Sequence, residues 1–198
     1  MNTTKNERYI AIVYFSANGT TAAMAGQVAE GAGQVDGTRV RQIAIQGKDI
    51  VEGRYRNPET YRVLDQMDAI VFGSPTYMGG PAAQFKAFAD GISGPRYSEQ
   101  LWRGKLAAGL TIGGCPNGDQ SASLSYMSIM ASQLGMIWMN LDVACGHHPD
   151  GLNRLGSHLG LTAQPDGTDV NALDLDTACY FGQQLAETVH RFKRVSEW

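Results

Sequence analysis

Short apolar runs alternate with longer amphipathic stretches along the chain, and this alternation predicts the architecture. Tyr9-Ile-Ala-Ile-Val-Tyr-Phe15 is continuously apolar, the pattern of a strand buried on both faces. Residues 22–34 follow as a helix with Ala25, Val28, Ala29 and Ala32 on one side, and Gly33 and Gly37 bracket its stop. The run 40–45 is more polar and predicts a second strand nearer an edge. Residues 46–66 are charged, contain Pro58 and show little periodicity, with a short helix expected over 59–66. A third strand is predicted at 68–73. Residues 82–92 form an amphipathic helix with Phe85, Phe88, Ala89 and Ile92 in register. A fourth strand (105–113), a helix (122–134) and a fifth strand (136–141) come next. After a long loop, 171–194 reads as a final helix that aligns Phe181, Leu185, Val189 and Phe192.

Five strand–helix units in alternation, without an internal repeat, predict an α/β fold with a parallel sheet and helices on both faces. Right-handed crossovers then bring the carboxyl ends of all strands to one edge. Ligands bind at that edge, so the loops after the first, third and fourth strands are the expected site. The 198 residues suit a single domain, 1–198, with 1–8 expected as a flexible tail.

Composition narrows the function classes. An apolar share of 43% excludes an intrinsically disordered chain. Sixteen Lys and Arg against nineteen Asp and Glu give a net charge of −3, which leaves no basic excess for nucleic acid. Cys115, Cys145 and Cys179 form no CxxC pair and no even-numbered framework, as expected for reduced thiols in a cytoplasmic protein. The first apolar run is too short for a signal peptide and lacks a cleavage pattern. The uncharged stretch 120–141 carries five serines, two glutamines and Asn140, too much polar surface for a membrane span. Glycine is in excess, at 24 residues where roughly 7% is usual.

Many of those glycines fall in the three expected loops. Ser16-Ala-Asn-Gly-Thr-Thr21 joins a buried strand to a helix start, and combines hydroxyls, an amide and a flexible backbone. The arrangement suits a phosphate held by a helix N-terminus without a cation, and equally a simple Ser/Thr cap. No Gly-Lys-Ser/Thr or GxGxxG follows, which argues against an ATPase and a dinucleotide fold. Gly73-Ser-Pro-Thr-Tyr-Met-Gly-Gly-Pro81 is stiffened by two prolines, and two glycines expose backbone beside Tyr77 and Met78. Such a mixture suits a flat heteroaromatic ring. Gly113-Gly-Cys-Pro-Asn-Gly-Asp-Gln120 again permits close backbone approach, and Cys115 within it reads as a small packing residue.

With these residues in hand, a resemblance emerges. The first loop is similar to the phosphate loop of flavodoxin-like FMN proteins. Asp68-Ala-Ile-Val-Phe-Gly-Ser-Pro-Thr-Tyr-Met-Gly-Gly, continuing to Asp90, resembles the second flavin loop of WrbA-type NAD(P)H:quinone oxidoreductases, as do Gly104-Lys-Leu-Ala107 and the glycines beyond. Pro149-Asp-Gly-Leu-Asn-Arg-Leu-Gly-Ser157 resembles the late loop of NADPH-dependent FMN reductase-like flavoproteins. The resemblance implies a doubly wound five-stranded sheet in the order 2-1-3-4-5, a non-covalent FMN, and NAD(P)H as co-substrate. By the same implication Ser16, Asn18, Gly19, Thr20 and Thr21 hold the phosphate, and Pro75, Thr76, Tyr77, Met78 and Gly79 line the ring edge. Thr111, Ile112, Gly113, Gly114 and Gly118 cover its other side and the ribityl chain. It further implies a homodimer or homotetramer. The chain departs from the pattern at Gln133 and Leu134, where relatives carry a histidine pair, at Tyr77 in place of a basic residue, and near Arg96 and Tyr97, where relatives carry a tryptophan.

Hydride chemistry belongs to the flavin, so no protein acid or base is required, and neither GxSxG nor HExxH occurs. Gly146-His147-His148-Pro149-Asp150 makes a poor metal site, since adjacent histidines diverge and no third ligand has helical spacing. His147 and His148 are either a solvated loop or hydrogen-bonding groups for the acceptor. Arg154 is the cation expected to meet a nucleotide phosphate, and Tyr97 is a further candidate for substrate or neighbouring-subunit contact. The leading expectation is an FMN-dependent NAD(P)H oxidoreductase that reduces a quinone or similar small acceptor. A flavodoxin-type electron carrier and an FMN-binding regulatory module are the alternatives, and the near-neutral charge speaks against the carrier.

Overall fold

The computed structural model describes residues 7–192. Its main elements are β1 (Arg8–Tyr14), α1 (Thr20–Gly33), β2 (Thr38–Ala44), α2 (Pro58–Asp65), β3 (Ala69–Tyr77), α3 (Ala83–Gly91), β4 (Leu106–Ile112), α4 (Gln120–Gln133), β5 (Ile137–Trp138), β6 (Leu161–Ala163) and α5 (Ala172–Arg191). The strands pair in parallel in the order β2-β1-β3-β4-β5, as expected. Arg8 already pairs with Thr38 in β1, so the expected tail ends before it, and residues 1–6 lie outside the described part.

The fifth strand differs from the expected run 136–141. Only Ile137 and Trp138 pair, beside Leu106 and Ala107. The chain then leaves the sheet and returns as β6 beside Leu110, Thr111 and Ile112. Met139, Leu141 and Val143 are buried all the same. Their apolar pattern is satisfied by core contact rather than by the ladder, a distinction that periodicity does not carry.

Alternation along the strands divides the core in two. Ile10, Ile12, Leu110 and Ile112 face α1 and α5, where Met24, Val28, Phe181 and Leu185 cover them. Ala11, Val13, Ile70 and Phe72 face α2, α3 and α4 through Leu64, Phe85, Phe88, Leu124 and Met127. The helix α1 touches α5 at two glycines. A Cβ on Gly31 would lie 1.8 Å from the Cys179 carbonyl oxygen, and one on Gly182 would lie 2.1 Å from that of Val28. Phe192 departs from its predicted alignment, because α5 ends at Arg191 and leaves the ring exposed.

Local chemistry sets the helix ends. Asn57 Oδ1 accepts from the Glu59 and Thr60 amides, and Pro58 takes the first helical position, so α2 begins ahead of the predicted start. At the other end, the buried Lys105 ammonium donates to the Asp65 and Met67 carbonyl oxygens at 2.7 and 2.6 Å, a cation on a helix C-terminus. Asp65 binds Arg96 through both carboxylate oxygens, at 2.8 and 2.6 Å, and the Trp102 indole at 2.8 Å. This network pins segment 92–105 to the edge of the sheet where β1 and β4 begin.

Two outcomes follow for stability. Gly182→Ala forces α1 and α5 apart and lowers stability by about 1–3 kcal/mol, as overpacking does. Gly26→Ala, with open space at its Cβ, raises stability by about 0.5–1 kcal/mol; urea midpoints compare the two. Burial holds the Tyr61 hydroxyl well above the ordinary tyrosine value of 10.0, where it donates to the Phe88 carbonyl at 2.8 Å. The unfolded chain ionises this tyrosine first, so stability declines as pH rises above that value. The fall in urea midpoint between about pH 9 and 11 is therefore smaller in Tyr61→Phe.

Candidate functional site

The loops after β1, β3 and β4 leave the same edge of the sheet, because these strands run in parallel beside one another. In the first loop, Ser16 Oγ accepts from the Gly19 and Ala22 amides at 3.1 and 3.2 Å. Asn18 Oδ1 accepts from the Thr20 hydroxyl at 2.9 Å. Gly19 has φ +95°, a left-handed conformation that glycine adopts without strain, and its carbonyl begins α1. No acidic side chain occupies the first turn of α1, and the Thr21 hydroxyl is buried there without a hydrogen-bond partner among the described residues. The helix start is a neutral cradle whose field favours an anion.

The second loop is a tight hairpin. Thr76 pairs with Pro81 and Tyr77 with Gly80, around a turn with φ of +48° at Met78 and +78° at Gly79. Positive φ at both central residues is the type I′ geometry, which non-glycine residues such as methionine seldom adopt. Met78 is fully exposed, Tyr77 is about half exposed, and Pro75 is buried. The Ala82 amide donates to Ser74 Oγ at 2.9 Å and fixes the exit.

The third loop hangs from Gln120. Its Nε2 donates to the Cys115 carbonyl at 3.0 Å, and its side chain fills the space where a Cβ on Gly113 would stand. The Cys115 side chain is exposed and is not the packing residue expected; only its carbonyl is held. Gly114 is exposed, and Gly118 has φ +23°. The Ile112 side chain belongs to the α1–α5 core, so it offers the site only backbone. The Thr111 and Thr76 hydroxyls meet at 2.7 Å and join the second loop to the third.

The other candidates are more scattered. His147 and His148 sit on an exposed turn within segment 139–160. That segment reaches the third loop through the Asn117 side-chain amide, which donates to the Leu155 carbonyl at 3.0 Å. Arg154 is not left for a nucleotide phosphate: it donates at 2.7 Å to Asp174, a nearly buried carboxylate that needs a compensating charge. Tyr97 lies on the opposite edge, because α3 runs back there before Arg96 pairs with Asp65. Within one chain it does not join the loops. That edge also holds a cleft of about 460 Å³ lined by Tyr9, Arg39, Val40, Arg41, Val63, Gln66 and Met67.

Comparison with known proteins identifies the family of the chain. Residues 10–150 match the family model described as NADPH-dependent FMN reductase. The chain belongs to this family. It is 34% identical over 184 residues to Flavodoxin FldP of Pseudomonas aeruginosa, covering 88% of this chain and 93% of that protein. It is 29% identical over 196 residues to an NAD(P)H dehydrogenase (quinone) of Archaeoglobus fulgidus, covering 92% and 97%. Among solved structures, a flavodoxin, WrbA-like protein from Agrobacterium tumefaciens superposes with a TM-score of 0.73 at 33% identity, covering 94% and 100%.

FMN is the cofactor of the family, with NAD(P)H as co-substrate, and the residues present fit it. The orphaned Thr21 hydroxyl and the uncharged start of α1 suit a phosphate, and the glycine hairpin suits a planar edge. Sequence reasoning missed Gln120, Ser123 and Asn153. All three are buried polar side chains. Asn153 organises segment 139–160 by donating to the Val143 carbonyl at 3.0 Å and accepting from the Ser157 amide at 2.9 Å. The available signal was a polar residue in an otherwise buried helix or loop.

Ser16 carries the cradle, and its removal is the direct check. Ser16→Ala is expected to weaken FMN binding by up to about tenfold, as loss of one hydrogen-bonding group costs about 0.5–1.5 kcal/mol. Titration of the apoprotein with FMN, followed by quenching of flavin fluorescence, reads the change.

Proposed function

We propose that the protein passes a hydride from NAD(P)H through FMN to a quinone or similar small acceptor. The observation that carries this reading is the convergence of three glycine-bearing loops at one sheet edge, the first two without a charged side chain, in a chain of the FMN reductase family. FMN supplies the hydride chemistry when bound. The protein's part is to hold and orient it: Ser16, Asn18, Gly19, Thr20 and Thr21 at the phosphate, the hairpin 75–79 along the ring, and Thr111 with Gly113, Gly114 and Gly118 on the far side. On this reading His147 and His148, exposed on segment 139–160, meet the acceptor. The quinone is supported by the names of relatives from Archaeoglobus fulgidus and Paracoccus denitrificans.

A second reading, an electron-carrying flavodoxin, is favoured by the likeness to Flavodoxin FldP. A net charge of −3 argues against it, since carriers that dock by charge need a stronger field. Among the described residues no helix is long and apolar enough to cross a membrane. A cytoplasmic location and a homo-oligomer are part of the proposal, and the exposed apolar side chains of Tyr97, Leu101 and Ile137 offer surface for self-association.

The purified protein loaded with FMN is expected to be yellow. NADH or NADPH should bleach it within seconds, and an added quinone should restore the colour over repeated turnovers. Bleaching only after addition of a separate reductase would establish the carrier instead. A protein that takes up no FMN would overturn both.

A further inference from the structure

Three hydroxyls meet beneath the second and third loops, each from a different element. Thr76 Oγ1 of β3 lies 2.7 Å from Thr111 Oγ1 of β4 and 2.7 Å from Ser123 Oγ of α4. Thr111 and Ser123 are both 0% exposed, and neither hydroxyl has another hydrogen-bond partner among the described residues. Three hydroxyls carry three hydrogens, and the two contacts consume two. One O–H remains.

Where it points follows from burial. Left on Thr111 or Ser123, the spare hydrogen would be a buried, unsatisfied donor, which costs the desolvation of that group without return. Thr76 is the one member with exposed surface. Among the described residues, Thr76 Oγ1 has no hydrogen-bond partner besides these two hydroxyls. The least costly arrangement has Thr111 and Ser123 both donating to Thr76, and Thr76 donating outward into the site. A hydroxyl that accepts two hydrogen bonds is also a stronger donor.

We propose that Thr111 and Ser123 are positioning residues that make Thr76 an outward, polarised hydrogen-bond donor to an acceptor atom of the bound flavin. The proposal rests on the FMN reading above and adds to it a hydroxyl relay running from α4 to the site. A neutral donor favours the electron-richer reduced ring, so weakening it lowers the flavin midpoint potential.

The test compares the holoprotein with Thr76→Val, Ser123→Ala and Ser123→Thr. Dissociation constants for FMN come from fluorescence quenching, and midpoint potentials from equilibration with reference dyes. Thermal melting of each apoprotein checks the fold. Thr76→Val is expected to weaken FMN binding about tenfold and Ser123→Ala about threefold, the range spanned by one hydrogen bond. Both should lower the midpoint potential, and Ser123→Thr should return both quantities to their original values. Where Ser123→Ala does not fold, the near-isosteric Thr111→Val carries the same expectation. Wild-type FMN affinity and potential in a folded Ser123→Ala variant, beside an altered Thr76→Val, would overturn the relay while leaving the site intact. An unaltered Thr76→Val would overturn the donor itself. Failure of the unmodified protein to bind FMN would instead remove the reading on which the proposal stands.

Discussion

The parallel pairing of β1, β3 and β4 is the constraint on which the rest depends. Val13 stands beside Phe72, and Gly73 beside Leu110, so the three strands advance together and release their loops at one edge. Close approach is needed for this. A Cβ on Gly73 would stand 2.7 Å from the Tyr14 Cβ and 3.1 Å from a Leu110 methyl. The glycine that looks like the start of a loop is therefore a packing position inside β3, and its carbonyl accepts the Phe15 amide at 3.0 Å as β1 gives way to the first loop.

The two edges of the sheet are held together by different chemistry. Where β1 and β4 begin, charge does the work: Asp65 binds Arg96 and Trp102, and Lys105 caps α2. At the carboxyl edge, the first three loops are tied by neutral groups, chiefly Ser16, Ser74, Thr76, Gln120 and Ser123. An anion is best received by amides and hydroxyls whose hydrogens point outward, since a fixed carboxylate there would repel it and a committed cation would already be neutralised. Arg154 shows the second case, because Asp174 has already claimed its charge.

Family membership and local geometry bear on different parts of the function. The family accounts for FMN, and the geometry offers a helix start free of acidic side chains, whose field favours an anion. The family does not fix the acceptor; Tyr77 and Met78 on the hairpin and His147 and His148 on segment 139–160 are exposed side chains on loops, where binding surfaces commonly lie.

The order and type of the main elements could be read from the chain, because strands buried on both faces and helices with one apolar side leave unambiguous periodicities at 9–15, 82–92 and 171–194. The three loops could be read too, since glycine and proline cluster where the backbone turns, although Gly73 to Tyr77 of the second proved to continue β3. The split of the fifth strand could not, as Met139 and Leu141 are buried whether or not they join the ladder. Nor could the edge on which Tyr97 falls, the capture of Arg154 by Asp174, or the meeting of Thr76, Thr111 and Ser123. These are contacts between residues 20 to 47 positions apart. A linear pattern records what each position prefers to bury; only the folded chain determines which polar group each one finds there.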